Sequence, residues 1–360
     1  MTAPTVPRGR RSTLTFSAAF SSAMLPLALV CCGGGGGGGS DSNGVSAPSS
    51  APSPSSGSTT GTASGTASGT ANVPIAAARN LPANATWVVY YGTASNVDVA
   101  RVASTFDVIV IDADPGSGSP QFTPAQIATL RSHGAKVLSY LNFGACETWR
   151  TYWSSVPTGF KSCSANSAAQ LGKMSGYPEY WMNVGNSDYQ HLLVGYVAPR
   201  MMATGVDGLM LDNFEIVGHG ANASDGPCDA TCAQGGLDLV GQLRAAYPNA
   251  PIVLNHAPVS AIAGTSAGVS FPMLVDGDFG EQVFSPTVDG GQVQQLQSWK
   301  SVEATLPRQA FFVGSLDYVG DCTKTSAAQS DWTASLAAGI RPAVATAALN
   351  EVCWWSFLPN

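Results

Sequence analysis

The chain has 360 residues, with 16 Lys and Arg against 23 Asp and Glu and a formal charge of −7. Four of the basic residues and one acidic residue fall in the first 80 positions, so the remainder carries 12 against 22. This acidic balance excludes the basic footprint of a nucleic-acid binder. It is compatible with a cationic ligand, although acidic surfaces most often serve solubility.

Residues 1–11 are polar and carry Arg8, Arg10 and Arg11, residues 12–30 form an apolar stretch without a charge, and Cys31 and Cys32 follow. A positive start, an apolar middle and a boundary cysteine read as an export signal over 1–32, with a membrane-spanning helix as the alternative. The cysteine placement resembles a bacterial lipoprotein signal, which implies lipidation at Cys32 or Cys31. Residues 33–80 are Gly, Ser, Thr and Pro with almost no bulky side chain. Such a segment cannot bury enough apolar surface to order itself, so a disordered tether is expected, about 35–40 Å in root-mean-square span. The expected location is the cell envelope or the medium, with the membrane touched only through the signal or lipid anchor.

Residues 81–360 suit one large domain. Short apolar runs recur at 87–91, 108–112, 136–142, 208–212, 251–255, 273–281, 310–318 and 342–348. Helical stretches separate them, such as 123–134, which opens on Thr-Pro and closes on Gly, then 187–205 and 235–248. Alternating strand and helix signals mean parallel βα units. Eight of them predict a closed (β/α)8 barrel of the TIM type, with an open doubly wound sheet as the alternative. Six cysteines remain in this domain, an even number that suits disulfides in an exported chain and allows 15 connectivities.

The reactive face of such a barrel is at the C-terminal ends of its strands. There the sequence places Tyr91, Asp112, Asp114, Asn142, Asp212, Asn213, Asn255, His256, Asp278, Glu281, Asp317 and Tyr318. A single strand ending in Asp would be a cap or turn, whereas polar groups at nearly every strand end describe a site. No His-x-His or carboxylate-rich cluster suggests a metal, no glycine-rich phosphate loop follows a strand, and no G-x-S-x-G elbow is present. No cofactor is therefore expected. The stretch 218–226 reads as a flexible loop. Two opposed carboxyl groups suffice for glycoside hydrolysis, one protonating the leaving oxygen while the other attacks or activates water. Asp212 on the fourth strand and Glu281 on the sixth fit that arrangement.

At these residues the chain resembles the glycoside hydrolase family 114 barrels, the endo-α-1,4-polygalactosaminidase-like proteins. The stretches that carry the likeness are "DVIVIDAD" (107–114), "KVLSYLNFGACETWR" (136–150), "YPEYWMNVGN" (177–186), "GVDGLMLDNFE" (205–215) and "VDGDFGEQVF" (275–284). The resemblance implies that Asp212 is the nucleophile and Glu281 the acid/base. It implies an α-1,4-linked galactosamine-type, hence cationic, polysaccharide substrate. Where the family has Gly-Glu-x-Glu before an Arg, this chain has Gly144, Ala145, Cys146 and Glu147 before Arg150.

Tyr91, Asp112, Asn142, Glu147, Asn213, Asn255, Asp278, Asp317 and Tyr318 are the expected substrate-binding residues. Glu147 has an ion pair with Arg150 as its alternative, and Tyr91, Trp149, Trp354 and Trp355 are either core aromatics or sugar platforms. The expected disulfides join neighbours at one end of the barrel: Cys146 with Cys163, Cys228 with Cys232, and Cys322 with Cys353. A monomeric, retaining glycosidase is the first reading, and a non-catalytic glycan-binding barrel at the envelope is the second. A structural ion pair on Asp212 or Glu281 would favour the second.

Overall fold

The structure is a computed structural model that describes residues 79, 81–82, 84–117, 121–306 and 310–358. The signal, the lipidation cysteines and nearly all of the tether lie outside the described residues. Eight parallel strands form one sheet: β1 (Trp87–Tyr90), β2 (Val108–Ile111), β3 (Lys136–Asn142), β4 (Gly208–Asp212), β5 (Ile252–Asn255), β6 (Gly277–Glu281), β7 (Phe312–Val319) and β8 (Arg341–Thr346). Each pairs with its neighbour in chain order. The seam is closed by Trp87 Nε1, which donates to Arg341 O at 2.9 Å, and by Tyr91 N, which donates to Leu349 O at 2.6 Å. The expected TIM barrel is thus the fold, and strands buried on both faces explain why the sequence shows continuous apolar runs.

The barrel interior is filled by Trp87, Val89, Val108, Val110, Leu138, Met210, Val253, Phe279, Phe312 and Leu316. Trp87 packs against Phe279 and Phe312, with ring centroids 5.1 and 5.4 Å apart. Truncating such a buried aromatic to Ala costs about 3–5 kcal/mol. A second, larger apolar layer lies between the strands and the helices outside.

The helices of six residues or more among the described residues are α1 (Val99–Thr105), α2 (Pro124–Leu130), α3 (Ser187–Leu192), α4 (Ala230–Ala246), α5 (Gly290–Ser301) and α6 (Thr325–Ala337). α2 starts on a reciprocal cap: Gln126 N donates to Thr123 Oγ1, and Thr123 N donates to Gln126 Oε1. α3 runs on through a π turn (Leu193–Val197) into a further helical turn (Ala198–Met202). Between β5 and β6 the described chain has two 3₁₀ turns and a small hairpin instead of an α-helix. The first part of the apolar run 273–281 therefore belongs to a turn, Phe271–Met273. No helix among the described residues is long and apolar enough to cross a membrane.

The loop after β3 carries a three-stranded antiparallel sheet that the sequence reading did not anticipate. Its strand Glu179–Met182 lies between Ala145–Glu147 and Gln170–Lys173. Disulfide Cys146–Cys163 ties this excursion together, Cys228–Cys232 sits at the start of α4, and Cys322–Cys353 joins the segments following β7 and β8. These are the three expected pairs, two closing loops after single strands and one joining adjacent strand ends, and they fit an exported protein. The stretch 218–226, expected to be a flexible loop, is fastened. Asp225 accepts from Trp181 Nε1 at 2.7 Å, and the His219 ring meets Trp181 edge-on.

Candidate active site

Side chains alternate across a strand, so counting by twos from the buried interior identifies what reaches the barrel mouth. Val89, Val110, Leu138, Met210, Val253, Phe279 and Leu316 all lie in the interior cluster. Two residues on from each stand Tyr91, Asp112, Tyr140, Asp212, Asn255, Glu281 and Tyr318, and Asn142 follows Tyr140 by the same step. These polar groups form the floor of the mouth.

At its centre, Asn255 Nδ2 donates to Asp212 Oδ1 and to Glu281 Oε1, each at 2.8 Å. The two oxygens are therefore no further apart than the sum of those bonds, 5.6 Å. Each carboxylate has a tyrosine donor as well. Tyr140 bonds Asp212, and Tyr318 OH donates to Glu281 Oε2 at 2.5 Å. Burial, then the negative charges nearby, hold both phenols well above their ordinary pKa, which keeps them protonated as donors. Burial and then the charge of Glu281 raise the pKa of Asp212. His256 Nε2 accepts from Glu281 N at 3.3 Å. Burial pushes that imidazole down, so the ring is neutral and able to accept.

The backbone turns sharply just beyond three of these positions. Asn213, His256 and Gln282 have φ of 57°, 58° and 54°, each immediately after Asp212, Asn255 and Glu281. Left-handed conformations in non-glycine residues cost energy and cluster at functional sites. Here they end β4, β5 and β6 abruptly and leave the last side chain standing in the mouth. Asn213 sends its Nδ2 to Asn142 Oδ1 at 2.9 Å. A Cβ at Gly144 would lie 2.0 Å from Asn213 O, so only glycine allows the β3 loop to pass there.

One wall is a buried charge network around Arg150. Its Nη1 donates to both oxygens of Asp112 at 3.0 Å, and its Nη2 to Glu147 Oε1 at 3.1 Å. Arg200 Nη2 pairs with Asp114 at 2.6 Å. The Arg150 guanidinium also stacks on Trp149, 4.1 Å from the ring centroid. Among the described residues no group of three or more His, Cys, Asp and Glu is arranged to hold a metal ion.

Several expected binding residues are not at the mouth. Asp278 is fully buried on the outward face of β6, three residues from Glu281, where its Oδ1 accepts from Ala257 N. Asp317 is likewise fully buried, on the outward face of β7, and accepts from Phe284 N and Ser285 N. Both have the wrong parity for the interior, and both fasten loops. Burial raises Asp278 well above the carboxylate range and Asp317 to about 6. Glu147 is buried beneath Arg150 and Tyr152 rather than facing solvent. Trp355 and Trp354 pack in the clusters outside the barrel, whereas Trp149 is 52% exposed.

The site also holds groups the sequence reading did not select. Tyr140 was visible from strand parity. Glu215 sits in the turn after Asp212, and burial followed by the charge of Asp212 raises its pKa far above normal. Glu179 arrives from the excursion sheet and accepts from Asn142 Nδ2 at 2.9 Å. No periodicity in the sequence marks that contact.

Residues 68–231 match the model of a family described as Glycoside-hydrolase family GH114. An uncharacterized protein of Thermotoga maritima is 26% identical over 128 residues, and the match spans 33% of this chain and 36% of that relative. The glycoside hydrolase domain of PelA from Pseudomonas aeruginosa superposes with a TM-score of 0.57 at 15% identity, covering 74% of this chain and 96% of that one. Ega3 of Aspergillus fumigatus, solved in complex with galactosamine, gives 0.51 at 17% identity, covering 76% and 95%. The last two likenesses are likenesses of fold.

Proposed function

We propose, from the match of residues 68–231 to the model of glycoside-hydrolase family GH114, that the chain hydrolyses an α-1,4-linked galactosamine-type polysaccharide, with retention of anomeric configuration. Asp212 is the nucleophile and Glu281 the acid/base. The observation that carries the reading is the Asn255 bridge, which keeps the nearest oxygens of the two carboxyl groups within 5.6 Å. Retaining glycosidases hold their carboxyl groups about 5–5.5 Å apart, whereas inverting ones leave about 6.5–9.5 Å for a water. The ion pairs of the described residues include neither Asp212 nor Glu281, which weighs against a purely structural role and against the glycan-binding alternative.

In the first step Glu281 gives its proton to the glycosidic oxygen while Asp212 attacks the anomeric carbon, and the aglycone leaves. In the second, Glu281 takes a proton from water, whose oxygen displaces Asp212 and restores both groups. Asn255 and Tyr140 hold the nucleophile, and Tyr318 holds the acid/base. The substrate class is supported by charge. Seven carboxyl groups, on Asp112, Asp114, Glu147, Glu179, Asp212, Glu215 and Glu281, line or underlie the mouth, against the guanidinium groups of Arg150 and Arg200. Burial raises the pKa of Asp112, Glu179, Asp212 and Glu215, and a polycationic sugar chain favours their ionised forms. The likeness to Ega3, a galactosamine-bound barrel, agrees.

The test is digestion of a deacetylated α-1,4-galactosamine polymer, with product masses and the anomer of the first product read by NMR. Asp212→Asn should lose ~10³-fold or more in turnover while still binding polymer, since a nucleophile acts in the transition state. Glu281→Gln should recover on a substrate whose leaving group needs no proton. Near-native turnover by Asp212→Asn would refute the assignment.

A further inference from the structure

The strand Glu179–Met182 lies outside the barrel, yet its first residue reaches the mouth. The antiparallel register sets Glu179 opposite Glu147. Its carboxyl is held by Asn142, whose Nδ2 donates to Glu179 Oε2 at 2.9 Å. Asn142 is the last residue of β3 and lies in register with Asp212 on β4. Glu179 is thus one side chain away from the proposed nucleophile.

Its surroundings differ from those of the other acids in this wall. Asp112, Asp114 and Glu147 share the guanidinium of Arg150, and Arg200 adds a second cation to Asp114. Glu179 has no ion pair among the described residues. The neutral amide of Asn142 is its donor, and two further carboxylates, Glu147 and Asp212, act on it electrostatically. Arg150 acts on it too, but its two terminal nitrogens are spent on Asp112, Asp114 and Glu147. A carboxyl group in that position lacks one thing, a cation, and a sugar ring bound over Asp212 can bring one.

We propose that Glu179 recognises the ammonium group of the substrate and so makes the site prefer deacetylated over N-acetylated sugars. The proposal rests on the amino-sugar glycosidase reading. An ammonium ion pairs with the Glu179 carboxylate, whereas an N-acetyl group is neutral, bulkier and leaves the carboxyl unpaired. Burial and then the charge of Glu147 push the Glu179 pKa up to about 8 in the empty site. At mildly acidic pH the free protein therefore holds a proton on Glu179. An arriving cation favours the ionised form, so binding releases that proton to solvent.

The experiment is calorimetric titration of the full chain with methyl α-galactosaminide and with its N-acetyl counterpart, at mildly acidic pH in buffers of different ionisation enthalpy. The native protein should release roughly one proton on binding the amine and none on binding the acetamide. Glu179→Gln should abolish the release and weaken the amine ~10–100-fold, the usual worth of a charge-assisted hydrogen bond. It should leave the acetamide within about threefold. Equal losses for both sugars, or native affinity and proton release in the variant, would overturn the proposal. If Glu179→Gln does not fold, absence of proton release from the native protein overturns it alone. Binding with proton release but without cleavage of any polymer would refute the glycosidase reading and leave this one standing.

Discussion

Replacing Asn255 by Ala removes the group that ties the two carboxylates together. Its Nδ2 makes a 2.8 Å bond to each of Asp212 and Glu281, and a hydrogen bond to a charged group contributes about 1.5–3 kcal/mol. With the bridge gone, two charges no more than 5.6 Å apart repel by about 3 kcal/mol at an effective dielectric constant of ~20. Water entering the space restores part of the loss. Loss of the bond that orients and stabilises the ionised Asp212 should still lower kcat/KM ~10²-fold at neutral pH. The sign of the pH effect follows from what the amide does. Its N–H groups favour ionised carboxylates, so their removal raises the pKa of Asp212, already above normal from burial and from Glu281. The nucleophile must be ionised to attack, so the acid limb of the pH–rate profile moves to higher pH and activity partly returns there. Initial rates on an aryl α-galactosaminide with a good leaving group isolate this limb, and a thermal melt checks the fold. An unmoved acid limb with less than a threefold loss at neutral pH would refute the bridge. A large loss that is the same at every pH would make Asn255 a substrate contact instead.

The folded-state pKa values of Asp112, Glu179, Asp212, Asp278 and Asp317 are all raised, with Asp317 near 6 and Glu179 near 8, so the native state binds more protons than the unfolded chain. Their stabilising contribution is complete below the unfolded carboxylate values, about pH 4, and is lost as pH climbs through 6 and 8; the melting temperature at about pH 5 should exceed that at about pH 8.5, and the reverse order would contradict the burial of these groups. The Cys322–Cys353 bridge spans 31 positions, for which loop entropy gives about 3–4 kcal/mol. Cys322→Ser with Cys353→Ser should lower the melting temperature by roughly 7–15 °C, and a drop below about 2 °C by calorimetry would show that the unfolded chain is not the state this bridge constrains.

Most of the barrel was legible because parallel strands buried on both faces print themselves as apolar runs, and the runs ending at Asn142, Asp212, Asn255 and Glu281 stop where the strands stop. Parity is legible too, and it sorts the residues near a strand end into inward and outward sets. Asp278 and Asp317 lie near a strand end, yet each differs by an odd number of residues from Glu281 or Tyr318 and so points outward. Their outward direction was available from the period of two, and so was the inward direction of Tyr140. The excursion sheet was not. Its strands Gln170–Lys173 and Glu179–Met182 carry no alternating pattern: the consecutive Trp181 and Met182 are both buried in the core, and antiparallel pairing and the Cys146–Cys163 bridge hold the rest. Glu179 reaches Asn142 across 37 positions of sequence, a contact that exists only after that sheet has folded.

The way the mouth spends its cations follows from what each carboxylate has to do. Arg150 and Arg200 are both committed to the wall, where Asp112, Asp114 and Glu147 need permanent partners in order to be buried at all. Had either guanidinium stood between Asp212 and Glu281, it would have held both as anions, weakened the nucleophile and denied Glu281 the proton it must give. A neutral amide and two tyrosines orient the same oxygens without fixing their charge. The pair can then exist with one proton between them, as alternating acid and base chemistry requires. The remaining cost is a surplus of negative charge close to Asp212, and a substrate that brings its own positive charge relieves it on arrival. On that argument the acidity of the mouth and the neutrality of the donors around the proposed catalytic pair are two sides of one arrangement, in which the proposed polycationic substrate would supply the cation missing between them.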